Sequence, residues 1–342
     1  MLSLRLYAPE VVQKPPRDSY LADTLRQAFE IHFAPSLVGK TPATKYEYLR
    51  ALEKWEELTV NPQIGEIDDL ICECFRRAAM EDSIEDYSAA TVNKWQRHLA
   101  AIINRLGPKG PRNRRGKSII VDVPYFEPLP ETEPDPVNIP TSELDKMYLA
   151  CRTAEWPISS KSGCFAPDLW RAVLVLAITY GPRRSDLFNL KWKQINFDAN
   201  TISWRAKKTG KYHLFPLTPI VRAHLEEIHS DREFVLSISS SNHYLYRAFH
   251  EIQNFAKVRH PSGDYYGFHH LRQTCAARSD IHCPGTAAVI LGHAIRTVTQ
   301  RNYLGDASMQ AAWNCIKSCP PPPSFATIID RIDQRKAVAA AK

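Results

Sequence analysis

Apolar positions in the first hundred residues recur every three or four places, the period of a helix with one buried face. Tyr48, Leu49, Leu52 and Trp55 form one stripe, with Thr44 placed to cap it. Val92, Trp95, Leu99 and Ile102 form a second stripe behind Ser88, while Lys94, Arg97 and His98 point elsewhere. Residues 20–106 therefore read as a small helical bundle. Residues 1–19 mix Arg, Glu and Lys with apolar residues and hold no uninterrupted apolar run, so they are expected to be an extension and not a secretory leader.

The periodicity then stops. Residues 107–140 open with Gly107-Pro108-Lys109-Gly110-Pro111-Arg112-Asn113-Arg114-Arg115-Gly116-Lys117, and prolines recur at 124, 128, 130, 134, 136 and 140. Such a stretch is a linker by composition, either a solvated spacer or a basic strap along a polyanion. Thr141-Ser142-Glu143-Leu144 has capping-type chemistry and marks the start of a second domain, 141–319. Asp168 to Tyr180 is a strongly apolar helix ending at Gly181-Pro182, past which Leu187, Leu190 and Trp192 continue a helical pattern. Near Asp198-Ala199-Asn200 the period changes to two: Ile202 and Trp204 alternate with polar neighbours, Lys207-Lys208-Thr209-Gly210-Lys211 turns, and Tyr212 to Phe215 returns. Helices resume near Thr218. The tail, 320–342, begins with the Pro320 to Pro323 run and sets Ile328, Ile329 and Ile332 on one face, an amphipathic helix able to dock on this chain or on a neighbour. The fold class is mainly α with a small β-sheet.

Composition narrows the function. A length of 342 residues suits about two domains. The longest apolar run, Ala172 to Ile178, falls far short of the roughly 20 residues of a membrane span. Eight scattered cysteines read as free thiols in a reducing cytosol: Cys72-Glu-Cys74, His282-Cys283 and Cys315-x-x-x-Cys319 do not repeat as a zinc site would, and no metal is expected. A formal charge of +7 favours an anionic partner.

Four local patterns carry chemistry. In Thr179-Tyr180-Gly181-Pro182-Arg183-Arg184-Ser185-Asp186-Leu187, an Arg after a Gly-Pro break stands at a helix start, beside backbone N–H groups suited to a phosphate. Taken alone, Arg183 and Asp186 read more readily as a surface ion pair. Lys208, at the hairpin tip, is placed to enter a groove and give a proton to a leaving oxygen, although lysines are also ordinary turn residues. In Phe268-His269-His270-Leu271-Arg272-Gln273-Thr274, His269 and Arg272 share one helical face, with Leu271 and Cys275 toward the core. Ile290-Leu291-Gly292-His293 is followed ten residues later by Tyr303.

In this order and over this span, Arg183, Lys208, His269-x-x-Arg272, Leu-Gly-His293 and Tyr303 resemble the catalytic domain of the tyrosine recombinase, or phage integrase, family. Its segments read Gly-Leu-Arg-x-Ser-Glu-Leu, a hairpin Lys, His-x-Leu-Arg-His-Thr, Leu-Gly-His and a terminal Tyr. Pro182, Asp186 and Gln273 depart from that pattern, and the interval from His293 to Tyr303 is one residue longer than the commoner nine. The resemblance covers roughly 141 to 305, and residues 20–106 look like the family's helical core-binding (SAM-like) domain.

The resemblance implies a site-specific DNA recombinase, of the kind mobile elements use for integration or excision. Tyr303 would attack the scissile phosphate, leaving a 3′-phosphotyrosine and a free 5′-hydroxyl. Arg183, Arg272 and His293 would hold the phosphate, His269 would accept the phenol proton and Lys208 would protonate the leaving oxygen. No cofactor is implied. The partners would be a double-stranded target site, three further copies of the chain in a synaptic tetramer and DNA-bending accessory proteins, in the cytoplasm on the nucleoid. Lys109, Arg112, Arg114, Arg115 and Lys117 would form the strap along DNA phosphates. The alternatives are a type IB topoisomerase-like relaxation activity and a DNA-binding relative that no longer cuts.

Overall fold

The computed structural model describes residues 24–81, 87–108, 120–132, 135–158, 164–238, 242–292 and 305–340. The chain divides into two units, 1–134 and 135–342, with separate hydrophobic cores.

The first unit is helical. A short helix α1 (Leu25–Ala28) continues through a π-helical turn, Phe29–Phe33, into a 3-10 turn, Ala34–Leu37. Then come α2 (Pro42–Leu58), α3 (Asp69–Glu81) and α4 (Ala89–Leu106). The cap of α2 is Thr41, not Thr44: Pro42 takes the first helical position, where its missing N–H costs nothing, and the Thr41 hydroxyl accepts from the Thr44 N–H at 3.3 Å. Ser88 caps α4 as expected, and both stripes face one core with Leu52, Trp55, Val92, Leu99 and Ile102 fully buried. Asn93 is buried as well, because its amide pairs with both backbone groups of Leu129 at 2.8 and 2.9 Å. Residues 120–132, within the compositional linker, are therefore no free spacer: Ile120, Val123, Phe126 and Leu129 pack on this core.

The second unit is mixed. It opens with α5 (Thr141–Ala150), which uses no side-chain cap; Pro140 occupies the cap position, and the Thr141 hydroxyl instead accepts from Arg278 at 3.1 Å. Helix α6 (Ala166–Tyr180) is apolar over most of its surface and almost wholly buried, as a central helix must be, with only Asp168, Arg171 and Thr179 partly exposed. Beyond it the helical pattern is broken: α7 (Arg184–Leu187) is a single turn, and Trp192 opens a 3-10 turn, Trp192–Gln194. Both hairpin strands form, β2 (Thr201–Arg205) and β3 (Tyr212–Pro216), joined by a two-residue β1 (Ile195–Asn196) into an antiparallel sheet of order β1-β2-β3. Then follow α8 (Pro219–Glu227), capped by Thr218, α9 (Asn242–Ala256), α10 (Phe268–His282), the short α11 (Ala287–Ile290), α12 (Gly305–Ser318) and α13 (Pro323–Ala340). Helix α6 packs against α8 and α10.

The tail helix α13 docks on its own unit, against α5 and α8. Phe325 and Ile328 are buried there, Phe325 lying 5.0 Å from the Tyr148 ring, and the Ser324 N–H donates to Asp145 at 2.8 Å. Ile329, expected on the docking face, points to solvent; Phe325 supplies the anchor instead, one turn before Ile328. Among the described residues no helix is long and apolar enough to cross a membrane, and all eight cysteines are free thiols.

Candidate active site

Helix α6 ends at Gly181, whose φ of +55° is the left-handed conformation that lets the chain turn sharply. A side chain there would also collide: a Cβ would lie 2.5 Å from Leu291 Cδ2 and 3.0 Å from Cys275 Sγ. This close approach brings the Gly-Pro break against α10 and the turn after α11. Arg183 then stands at the N-cap of α7, half-buried. Among the described residues it has no ion-pair partner, and Asp186, three residues on, is turned inward. The buried Asp186 carboxylate accepts from the Lys207 N–H at 2.9 Å and so anchors the base of the hairpin. The two residues that read as a surface ion pair thus have separate tasks.

The hairpin is closed by Ala206 and Lys211, the Ala206 N–H donating to the Lys211 carbonyl at 2.8 Å, with Gly210 at φ +68° making the turn. Lys208 is exposed at its tip. On β3 the inward position opposite Trp204 is held by His213, which is 4% exposed and stacks on the indole at 4.7 Å and 7°. Burial, then Lys211, Arg272 and Arg183 in that order, push its pKa down to about 4, so this imidazole is neutral and lies within electrostatic reach of three cations. Sequence reasoning passed over His213. The signal was a polar residue at an inward position of an alternating strand.

Helix α10 contributes His269, His270 and Arg272. The His270 ring accepts from the Gly267 N–H at 2.9 Å and packs on Tyr266 and His260, closing the helix start, while His269 is exposed. Arg272 is buried and its guanidinium bridges two carbonyls: Nη1 donates to Gly181 at 2.5 Å and Nη2 to Leu291 at 2.8 Å. Desolvation first, and Arg183 second, hold its pKa down at about 10. Cations this near to one another raise each other's energy, and a bound anion relieves that cost.

The structure therefore gathers Arg183, Arg272, the base of the lysine hairpin and the Leu291-Gly292 turn. No hydrogen bond or ion pair joins Lys208 or His269 to Arg183 or Arg272 among the described residues. His293 and Tyr303 lie outside the described residues, as do Lys109, Arg112, Arg114, Arg115 and Lys117. The gathered set is cationic, with Arg183, Arg272 and Lys211 all close enough to His213 to act on its charge.

Solved structures with this fold include a lambda integrase tetramer bound to a Holliday junction (TM-score 0.61, 16% identity, 81% of this chain and 79% of that one). The XerH site-specific recombinase bound to its difH substrate matches at TM-score 0.57 and 18% identity over 83% of this chain and 84% of that one. The Tn1549 transposon integrase with circular-intermediate DNA matches at TM-score 0.57 and 15% identity over 82% and 95%. At these identities the likeness is one of fold. No curated protein sequence matches the chain. Residues 139–308 match the model of the phage integrase family, and they contain every one of the ordered motifs that the second unit brings together. Through those residues the chain belongs to the phage integrase family, the tyrosine recombinases.

Proposed function

We propose that this chain is a site-specific DNA recombinase that cleaves and rejoins duplex DNA through a 3′-phosphotyrosine on Tyr303. One observation carries the reading most directly: the Arg272 guanidinium holds the Gly181 carbonyl, two residues before Arg183, and the Leu291 carbonyl, two residues before His293. Three motifs distant in sequence thus meet at one side chain, and they are the motifs whose chemistry suits a phosphodiester.

The pentavalent transition state carries more negative charge on its non-bridging oxygens than the ground state, so donors fixed beforehand stabilise it selectively. Arg183, Arg272 and His293 take this role. A free tyrosine phenol titrates near about 10, so attack by Tyr303 at neutral pH requires a proton acceptor; His269, exposed at the start of α10, takes that role. Lys208, exposed on its hairpin, protonates the departing 5′-oxygen. The P–O bond to that oxygen breaks as the P–O bond to Tyr303 forms, so the linkage energy is conserved and no nucleotide hydrolysis is needed. A 5′-hydroxyl from a second duplex reverses the step and exchanges strands.

Exchange requires protomers to meet, and the tetrameric lambda integrase assembly on a Holliday junction supports a homo-tetramer in the synapse. Residues 20–106 form the core-binding domain that grips DNA together with the catalytic domain. Lys109, Arg112, Arg114, Arg115 and Lys117 form the phosphate-bound strap. DNA-bending accessory proteins assist, and the setting is the cytoplasm, on the nucleoid.

Incubating the protein with nicked suicide duplexes cut from the DNA flanking its own gene tests the reading. A covalent protein–DNA adduct is expected, and Tyr303→Phe is expected to abolish it. An adduct that persists in Tyr303→Phe, or none with any flanking duplex, defeats the proposal.

A further inference from the structure

The Leu291-Gly292 turn is held from two sides. Leu291 offers its carbonyl to Arg272 at 2.8 Å. Gly292, at φ +67°, rests on the edge of the His213 ring so closely that a Cβ there would lie 2.4 Å from Cε1 and 2.7 Å from Nε2. The opposite support of that ring is rigid: the imidazole lies flat on Trp204, which pairs with it across β2 and β3. Trp204 is buried in turn, against Tyr180 and Phe215. A continuous stack therefore runs from the central helix through Trp204 and His213 to the backbone of Gly292. Such stacks transmit position because interiors are close-packed and do not deform continuously.

We infer that His213 is a positioning residue of the recombinase site: its ring is the spacer that sets the height of the Leu291-Gly292 turn above the sheet, while Arg272 sets its orientation. The chain runs on from this turn into the segment that carries His293 and Tyr303, so the spacer fixes where that segment begins. This rests on the recombinase reading above. The ring acts by shape and not by proton transfer. Burial, and then Lys211, Arg272 and Arg183, all oppose a further positive charge, so the ring is neutral at neutral pH. A flat aromatic ring without nitrogen is therefore expected to substitute for it.

The test compares wild type, His213→Ala and His213→Phe for the single-turnover rate of adduct formation on a nicked suicide duplex, for affinity toward the same DNA and for thermal midpoint. His213→Ala is expected to slow cleavage by on the order of 10²-fold, the cost of misplacing a reacting group by about 1 Å. Its DNA affinity should stay within about twofold of wild type, since phosphate contacts dominate affinity. His213→Phe should recover most of the lost rate. Equal rates in His213→Ala and wild type overturn the inference. So does a His213→Phe enzyme as slow as His213→Ala, which would assign the imidazole a proton-transfer role.

Should the wild type give no adduct, the recombinase reading fails, and the packing claim is decided separately by thermal midpoints. Gly292→Ala should then lower the midpoint more in wild type than in a His213→Ala background, because the clash exists only where the ring does. Equal losses in both backgrounds overturn it.

Discussion

Arg272 shows what a single residue is asked to do. Its planar fork meets two carbonyls from different segments, and a lysine has one compact ammonium that does not reproduce that span. Arg272→Lys should leave a buried carbonyl without its donor, at a cost of about 1–3 kcal/mol in urea unfolding. A Lys variant as stable as wild type would show that the bridge is not structural. Gly181 is constrained as tightly. Gly181→Ala must adopt the left-handed conformation and push Leu291 Cδ2 away from 2.5 Å, so a loss of at least about 1–2 kcal/mol is expected from the backbone alone. A Gly181→Ala protein with an unchanged urea midpoint would mean that the break can relax.

At the scale of elements, the hairpin depends on one carboxylate. Asp186 bonds the Lys207 N–H, so Asp186→Ala should free the base of the β2–β3 turn while leaving the strand register, set by Ile202 and Phe215, in place. Trypsin should then cut at Lys207 and Lys208 several-fold faster, with little change in global stability; equal cutting rates would refute the anchor. The tail makes a second case. Phe325→Ala should remove an aromatic anchor packed on Tyr148 and cost about 3–5 kcal/mol, read as an earlier unfolding of the second unit. A smaller loss, under about 1 kcal/mol, would mean that the tail is only loosely held.

These elements also show where sequence was a sufficient guide. Helix α4 was legible because Ser88 and four apolar residues at helical spacing agree, and α6 because the unbroken apolar run from Ala172 to Ile178 fills it. The hairpin was legible from its period of two. Strand β1 was not, since two residues carry no period, and neither was the end of the pattern at Leu187, which a 3-10 turn interrupts without changing the apolar spacing. Thr41 lost to Thr44 in the sequence reading because the proline that favours Thr41 lies between them. Within the site, the residue types of Arg183, Lys208, His269 and Arg272 were visible as motifs. The partners of Asp186 and His213 are tertiary: one is a backbone N–H and the other a glycine, and neither leaves a trace in the local sequence.

At the scale of the whole molecule, two cores that share no residue should unfold as two cooperative transitions, and pH should separate them. Among its described residues the second unit holds two histidines whose pKa values lie near 4: His213, pushed down by burial and then by Lys211, Arg272 and Arg183, and His224, pushed down chiefly by burial. His224 pairs with the Tyr148 hydroxyl at 2.7 Å beneath the tail helix, and Arg331 and Arg171 oppose its protonation while Asp168 favours it. Unfolded histidines titrate near 6.5, so between that value and about 4 the unfolded state binds more protons than the folded state and stability must rise with pH. The stability these neutral rings lend is complete above about pH 6.5 and is lost as pH falls through this window, by up to about 1.4 kcal/mol per pH unit for each. The transition of the second unit should therefore move to lower temperature from pH 7 to pH 5, and His224→Gln should remove about half of that slope. A transition that does not move, or a His224→Gln protein with the full slope, would mean that this ring is protonated in the native state and that the tail helix sits over a charge.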